Sequence, residues 1–302
     1  MAALTRSSRA RSLRSEERQA WVLAAPALIL LAMFLVAPIL ITFGLSFTNA
    51  RVISPNPPRF VGLDNFIRAF TSDPLFLQSL RNTIVFAVVV VPLQSALALA
   101  IALLVNAKVK GTAVFRTLIF MPVVTSMVVV SVLWSFMYQG NGLINSMLEQ
   151  ITFGAWEPFA WLQEEQTALA SIVVLSVWQA FGMHMIIWLS GLQMIDPALY
   201  EAAELDGASA WYKFRHVTWP GLRSTMVFIL ITITIAALGL FVQIDVMTQG
   251  GPQGSTSSIV FHAVRRGYRE QDMGYGAAIS LIFFVLVLVI SLVQRWLTRD
   301  KD

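Results

Sequence analysis

The residue types that perform catalysis are few in this chain, and none stands at a catalytic spacing. The sequence contains no Cys and three His, and it has no H-E-x-x-H segment. Gly207–Trp211 contains half of a nucleophile elbow, and the Gly-rich segment Gly250–Thr256 lacks the Lys of a phosphate loop. His184 has no His, Cys or carboxylate at ligand spacing. The sequence therefore predicts no catalytic residue, no metal site and no cofactor bound by this chain.

A second kind of chemistry is the binding of a polar solute by hydrogen bonds and aromatic faces. Polar side chains within apolar helices are costly in lipid and usually face the bundle interior or a water-filled path. The candidates for such a path are Trp134, Tyr138, Trp178, Gln179, Gln243 and Asp245. Asp245 is the strongest of them, because ionisable groups at a membrane edge usually have a function.

Each of these candidates also has a structural interpretation. Trp134 and Tyr138 lie one turn apart at the end of an apolar run, where aromatic residues form an interfacial belt. Gln179 and His184 could bond between neighbouring helices. Asp245 could be a helix-terminal or partner-facing charge at the water interface. The sequence leaves both interpretations open for each of these residues.

The elements that position these residues are long apolar helices. Of the 302 residues, 57% are hydrophobic and 13% charged, which is far too apolar for a soluble domain. A helix needs about 20 apolar residues to cross a bilayer. The sequence therefore predicts an all-α, polytopic membrane protein with six transmembrane helices. The predicted spans are residues 20–48, 82–106, 117–139, 167–194, 224–246 and 273–297.

The basic residues predict the orientation of these spans. Lys and Arg accumulate in short cytoplasmic segments. With the N-terminus inside, 14 of the 21 basic residues fall on the inside and 7 on the outside. We therefore expect a cytoplasmic tail at residues 1–18, a second at residues 298–302 and a cytoplasmic loop at residues 196–222. The basic residues are dispersed over loop ends without interleaved aromatics, so no nucleic-acid partner is predicted.

The loop at residues 196–222 has the pattern of a helix–turn–helix. Asp196 is a good N-cap and Pro197 a good first helical residue. Gly207 can form the turn, and Ser209 can cap a second helix that Pro220 ends.

This loop carries the family resemblance. Glu201-Ala202-Ala203, Asp206-Gly207-Ala208, Phe214 and Pro220, at this spacing, resemble the EAA loop of permease subunits of bacterial ATP-binding-cassette importers. The resemblance covers nearly the whole chain. Val61–Phe66 and Thr248–Pro252 are similar to segments of the carbohydrate branch, typified by maltose and glycerol-phosphate permeases.

The resemblance implies a function in transport and no enzyme activity in this chain. The EAA loop would be a coupling helix that docks into a separate ATPase, which binds ATP and Mg. Glu201, Ala202, Ala203, Asp206, Gly207, Ala208, Phe214 and Pro220 would then be the coupling residues. The implied location is the bacterial cell membrane.

The resemblance also implies that this chain contacts membrane lipid and assembles with other subunits. They are a second homologous permease in a heterodimer, two ATPase subunits and an extracytoplasmic binding protein. Arg265 and Arg266 lie in the predicted outer loop and could form hydrogen-bond forks to that binding protein.

The solute that the resemblance implies is a sugar or a sugar-like compound. A glycerol-phosphate-type or other polar solute is the alternative. A secondary transporter would show an internal inverted repeat, which the sequence lacks. An intramembrane enzyme would need the catalytic spacings that are missing.

Overall fold

The computed structural model describes residues 19–106 and 111–298, and these residues are predominantly helical. Their β structure is one isolated bridge between Thr48 and Phe60. The predicted tails at residues 1–18 and 298–302 lie outside the described residues, apart from Thr298, which ends the last helix. The chain is therefore an all-α protein within the described ranges.

Within residues 19–106 and 111–298, five helices are long and apolar enough to cross a membrane. They are α1 (Gln19–Leu45), α3 (Pro74–Asn106), α7 (Glu165–Gln193), α10 (Arg223–Leu238, continued by α11, Val242–Met247) and α13 (Met273–Thr298). Four of them begin and end within three residues of the predicted windows. Helix α3 begins at Pro74 rather than near residue 82, because a helix can continue past the charged Arg81 once it leaves the lipid.

The third predicted span is not one straight helix. It consists of α4 (Thr112–Val124) and α5 (Met127–Met137), and the segments Val114–Val124 and Met127–Met137 meet at 95°. The bundle has six spans only when this bent pair is counted as one. Pro122 weakens the end of α4, and Thr125 and Ser126 are extended, with ψ of 138° and 131°. A window of apolar residues did not reveal this break.

The short helices lie at the two ends of the bundle. They are α2 (Asp64–Thr71), α6 (Leu143–Ile151), α8 (Pro197–Leu205), α9 (Ala210–Lys213, continued through Phe214–Thr218 to Trp219–Gly221) and α12 (Ile259–Val264, continued by Arg265–Arg269). We call the end formed by residues 196–222 the loop face. The opposite end, formed by residues 46–73, 138–164 and 248–272, is called the far face.

The core lies where α3, α7 and α10 pack against one another. Its largest buried side chains include Phe86, Met185, Trp188 and Ile229. Small residues allow the close approach: a Cβ on Gly182 of α7 would lie 2.3 Å from the carbonyl oxygen of Ile119 in α4. Helix α1 packs on α13 at the edge, with none of its most apolar window buried.

Candidate coupling loop and solute path

The loop face is built by local capping, as its sequence predicts. The Asp196 carboxylate accepts a hydrogen bond from the Ala198 N–H at 2.9 Å, and Pro197 occupies the first turn of α8. Gly207 follows α8 with φ of +72°, a conformation that glycine adopts without strain. Ser209 Oγ accepts from the Tyr212 N–H at 3.3 Å and caps α9. These contacts fix two short helices at a sharp turn.

Two contacts join these short helices to each other. Lys213 Nζ donates to Glu204 Oε1 at 2.7 Å, and this hydrogen bond and the charge of Lys213 hold the pKa of Glu204 below its usual value. Tyr200 Oη and Thr218 Oγ1 lie 3.0 Å apart. The two helices of the loop therefore form one unit.

Leu222 anchors that unit to the bundle. This residue is completely buried, and it is the single residue between the end of α9 at Gly221 and the start of α10. Pro220 lies inside the last turn of α9, so the helix ends one residue later than the sequence predicted.

The outer side of the loop is exposed and partly apolar. Glu201, Ala202, Asp206 and Gly207 are exposed, while Ala203, Ala208 and Phe214 are half-buried. The structure also exposes five large side chains of the loop that the sequence analysis did not select: Leu199, Leu205 (91% exposed), Trp211, Tyr212 and Trp219. Their apolar character was visible in the sequence, but not the side of the loop on which they lie. The result is a partly apolar surface that also carries the exposed carboxylates of Glu201, Glu204 and Asp206.

The aromatic path candidates form a cluster near the far face. The rings of Trp134 and Tyr138 lie 5.5 Å apart, and those of Trp134 and Trp178 lie 5.3 Å apart. Tyr138 is buried and its hydroxyl donates to the Ser171 carbonyl oxygen at 3.0 Å. Trp134 is half-buried, and Trp178 is 39% exposed. The cluster thus joins α5 to α7 while leaving part of two indole faces accessible.

The polar candidates within the spans bond between helices. Gln179 Nε2 donates to the Pro122 carbonyl oxygen at 3.4 Å, beside the break between α4 and α5. His184 Nδ1 lies 2.8 Å from Gln94 Nε2, and Gln243 Nε2 donates to Ser176 Oγ at 3.3 Å. Polar groups without water need such partners. Gln179 and His184 thus make bonds between helices, and their place along a solute path stays a prediction.

Asp245 is an ion-paired residue in α11. Its carboxylate lies 2.5 Å from the guanidinium of Arg269, which also donates to Gln249 Oε1 at 2.5 Å. Asp245 thus lies in the first turn of α11 with its charge balanced by Arg269, and its place along a solute path stays a prediction.

An open pocket of about 470 Å³ lies beside Tyr138 at the far face. Its lining combines the end of α5 with the segment after α11: Ser135, Tyr138, Gln139, Met247, Thr248 and Pro252 are among its residues. Except for Tyr138, the sequence analysis did not select these residues as candidates for a solute path, because they come from segments far apart in the chain. The pocket offers hydroxyl and amide groups next to the aromatic cluster.

Arg265 and Arg266 lie on the far face, where both bind carboxylates of this chain. Arg265 Nε donates to Glu270 at 3.1 Å. Arg266 donates to Glu270 at 2.5 Å and to Asp73 at 3.0 Å. Arg265 keeps 44% of its side chain exposed and Arg266 keeps 24%. Arg265 is thus the more accessible of the two to a partner.

Asp73 is the centre of a buried network that the sequence did not reveal. Asp73 Oδ2 accepts hydrogen bonds from His262 Nε2 at 2.9 Å, Tyr275 Oη at 2.8 Å and Arg266. Burial raises the pKa of Asp73, but the bonds from Tyr275 and His262 and the charges around it bring that pKa down to about 2. Burial also lowers the pKa of His262, although Asp73 opposes this shift. A neutral His262 beside an ionised Asp73 results.

Residues 21–302 match the family described as binding-protein-dependent transport system inner membrane component. The chain belongs to this family. It is a permease subunit of an ATP-binding-cassette importer, a transport component rather than an enzyme. The permease is 35% identical over 285 residues to the lactose transport system permease protein LacF of Rhizobium radiobacter, covering 93% of this chain and 94% of the relative.

Two further similarities extend over nearly the whole permease. It is 35% identical over 287 residues to the trehalose/maltose transport system permease protein MalF of Thermococcus litoralis, covering 95% of each chain. A solved bacterial alginate ABC transporter, in complex with an alginate pentasaccharide-bound periplasmic protein, contains a chain that superposes with a TM-score of 0.82. The superposition covers 94% of this chain and 96% of that chain at 22% identity, and it shows that the fold is shared.

Proposed function

We propose that this permease forms half of the translocation path for a sugar or sugar-like solute. The proposal is supported by its relatives, two of which are named for the transport of lactose and of trehalose and maltose. The aromatic cluster around Trp134 agrees with it, since indole and phenol rings can pack against the apolar faces of a sugar ring. The path would pass the pocket between Gln139 and Thr248, with Trp134, Tyr138, Trp178, Gln179, Gln243 and Asp245 along it.

ATP hydrolysis would reach this path through the loop at residues 196–222. The observation that carries this proposal is the exposed surface of α8 and α9, which presents Leu205 and Trp211 as well as the carboxylate of Glu201. An exposed apolar patch of this kind marks a contact site for another protein. Glu201 would accept charge-assisted hydrogen bonds from an ATPase subunit, which binds ATP and Mg.

The proposed coupling also assigns each partner subunit to one side of the membrane. The loop face and both termini would be cytoplasmic, in agreement with the excess of Lys and Arg there. Two ATPase subunits would bind the loop face of this permease and of a second, homologous permease. A binding protein would dock on the opposite side, where Arg265 and Arg266 lie. The periplasmic protein seen with the alginate transporter supports a docking site of this kind.

Charge reversal at Glu201 tests the coupling. In proteoliposomes that contain the whole assembly and its binding protein, we expect Glu201→Lys to reduce ATP-dependent uptake at least about tenfold, because the reversed charge would repel the ATPase cleft. Insertion and thermal stability should not change, since Glu201 is exposed. The measurements are solute uptake and stimulated ATP hydrolysis.

The matched control is Glu149→Lys, a charge reversal at an exposed helical residue of the far face. This variant should transport at the wild-type rate. Normal uptake by Glu201→Lys would rule out the coupling function of the loop. A loss in both variants would show a general effect of charge instead.

The solute path is tested by Trp134→Ala in the same assay. We expect the KM for uptake to increase several-fold while ATP hydrolysis stimulated by the binding protein is retained, because the variant removes a solute contact but leaves the coupling loop intact. Trp296→Ala removes an indole that is 73% exposed on α13 and should have no effect. An unchanged KM in the Trp134 variant would contradict the path.

The solute class needs a separate measurement. Thermal-shift screening of the cognate binding protein against sugars and glycerol phosphodiesters should give stabilisation by a sugar. Stabilisation by a glycerol phosphodiester alone would instead support the glycerol-phosphate alternative.

A further inference from the structure

Helix α2 presents an apolar stripe to its surroundings. Leu63, Ile67 and Phe70 recur at helical spacing and are 60%, 57% and 51% exposed, whereas Asn65 and Ala69 on the other side are buried. A short helix of this kind, attached to the end of a membrane span, fits the boundary between lipid headgroups and acyl chains.

A basic pocket of about 530 Å³ lies on the flank of α2. Its charged lining residues are Arg51, Arg59, Arg68 and Asp272, and the remaining lining is mostly Asn, Ser and Pro. Arg68 is paired with Asp272 at 2.8 Å and stacks on the Tyr275 ring at 4.0 Å. Within the described part of the chain, Arg51 and Arg59 have no carboxylate within 4.0 Å. Three Arg and one Asp give the pocket a net charge of +2.

The backbone that carries these two arginines is fixed before any ligand binds. Asn49 N–H donates to the Arg59 carbonyl oxygen at 3.1 Å, and the Arg59 N–H donates to Asn49 Oδ1 at 2.7 Å. On either side of Arg51, the Gly274 N–H donates to the Ala50 carbonyl oxygen and the Val52 N–H donates to that of Gln271. The positions from which Arg51 and Arg59 project are therefore set by α13 and by the Thr48–Phe60 bridge.

The end of α1 indicates where the pocket lies along the membrane normal. This span ends at Leu45, and an aromatic group formed by Phe43, Phe47, Phe60 and Phe66 follows directly. Phe60 is 78% exposed, so this group continues the apolar surface of the span. Arg51 stands six residues beyond the end of α1. The pocket therefore lies just beyond the end of α1, where the phospholipid headgroups around that span are expected.

We propose that this pocket binds the headgroup of an anionic phospholipid. Arg51 and Arg59 donate charge-assisted hydrogen bonds to the phosphate, for which the guanidinium fork is well suited. The stripe of Leu63, Ile67 and Phe70 contacts acyl chains beside it. A soluble acidic partner would need the two arginines but would leave this apolar stripe in water, so the lipid explains both features.

The test compares lipid binding by two double variants of the purified importer assembly. Native mass spectrometry measures the affinities for phosphatidylglycerol and for phosphatidylcholine with the same acyl chains. Each arginine near a membrane surface contributes about a fivefold change in affinity. Arg51→Gln with Arg59→Gln should therefore weaken phosphatidylglycerol binding about 25-fold, with little change for phosphatidylcholine.

The matched control is Arg81→Gln with Arg295→Gln, which removes the same charge from exposed residues outside the pocket. It should change phosphatidylglycerol affinity less than about twofold. Equal weakening in both double variants would overturn the site. Competition by inorganic phosphate as strong as that by the lipid would show a soluble-anion site instead. Retained lipid binding together with lost affinity for the binding protein would assign the pocket to protein docking.

Discussion

At the scale of single residues, the far face is held by one buried carboxylate. Asp73 precedes α3, whereas His262, Arg266 and Tyr275 come from α12, its continuation and α13. One side chain thus joins the start of α3 to a region about 190 residues later in the sequence. An ionised carboxylate at this position is stable because every group around Asp73 Oδ2 is a hydrogen-bond donor.

The network predicts that acid destabilises the permease. His262 has a lowered pKa in the folded state, and its charged and titratable neighbours are Asp73, Arg266 and Glu270. Well above about pH 6.5, His262 is neutral in both the folded and the unfolded state and contributes no pH dependence to stability. Below that value the unfolded state binds the proton first, so the free energy of unfolding falls by up to about 1.4 kcal/mol per pH unit. Asp73, with a pKa of about 2, stays ionised in this range.

This prediction is checked by the thermal unfolding midpoint in detergent between pH 8 and pH 5. His262→Gln keeps a donor for Asp73 but cannot titrate, so its midpoint should fall less between pH 6.5 and pH 5 than that of the wild type. His216→Gln replaces an exposed histidine of the loop face and should behave as the wild type. Identical pH profiles for the wild type and His262→Gln would contradict the assignment.

At the scale of elements, the broken third span depends on a close contact with α7. Helix α4 approaches α7 at Gly182, and Gln179 donates to the carbonyl oxygen of Pro122 next to the break. In lipid the backbone groups released by a break need partners inside the protein. Helix α7 provides one of these partners and also the room for α4 to approach.

Gly182→Ala tests this contact. The added Cβ would lie 2.3 Å from the Ile119 carbonyl oxygen, so α4 has to move away from α7. We expect a loss of about 1–3 kcal/mol, as for other overpacked sites, seen as a lower thermal midpoint of the purified assembly. Gly44→Ala in α1 is the control, because its Cβ would meet no atom within 4 Å. Equal midpoints for the two variants would show that the α4–α7 contact is loose.

At the scale of the whole molecule, the sequence predicted the long helices well and the contacts between distant segments poorly. Apolar windows and capping residues such as Asp196 and Ser209 are local, so the spans and the loop at residues 196–222 could be predicted from them. The break after Pro122 could not, because prolines within membrane helices are often tolerated and α7 determines the outcome here.

The network around Asp73 was missed for a related reason. It joins residues about 190 positions apart, and no local pattern reports such a pairing. The ion pair of Asp245 with Arg269 likewise appeared only once α11 and the continuation of α12 were placed together.

The way the loop at residues 196–222 joins α10 has a geometric consequence for transport. Because Leu222 alone separates α9 from α10, a rotation of the loop tilts α10 with it. Helix α10 has 16 residues and is therefore about 24 Å long at about 1.5 Å per residue. If α10 tilts by about 10° about its end at Arg223, its other end at Leu238 moves by about 4 Å. In the proposed coupling, the loop and α10 would therefore act as a lever that magnifies a small displacement at the membrane surface.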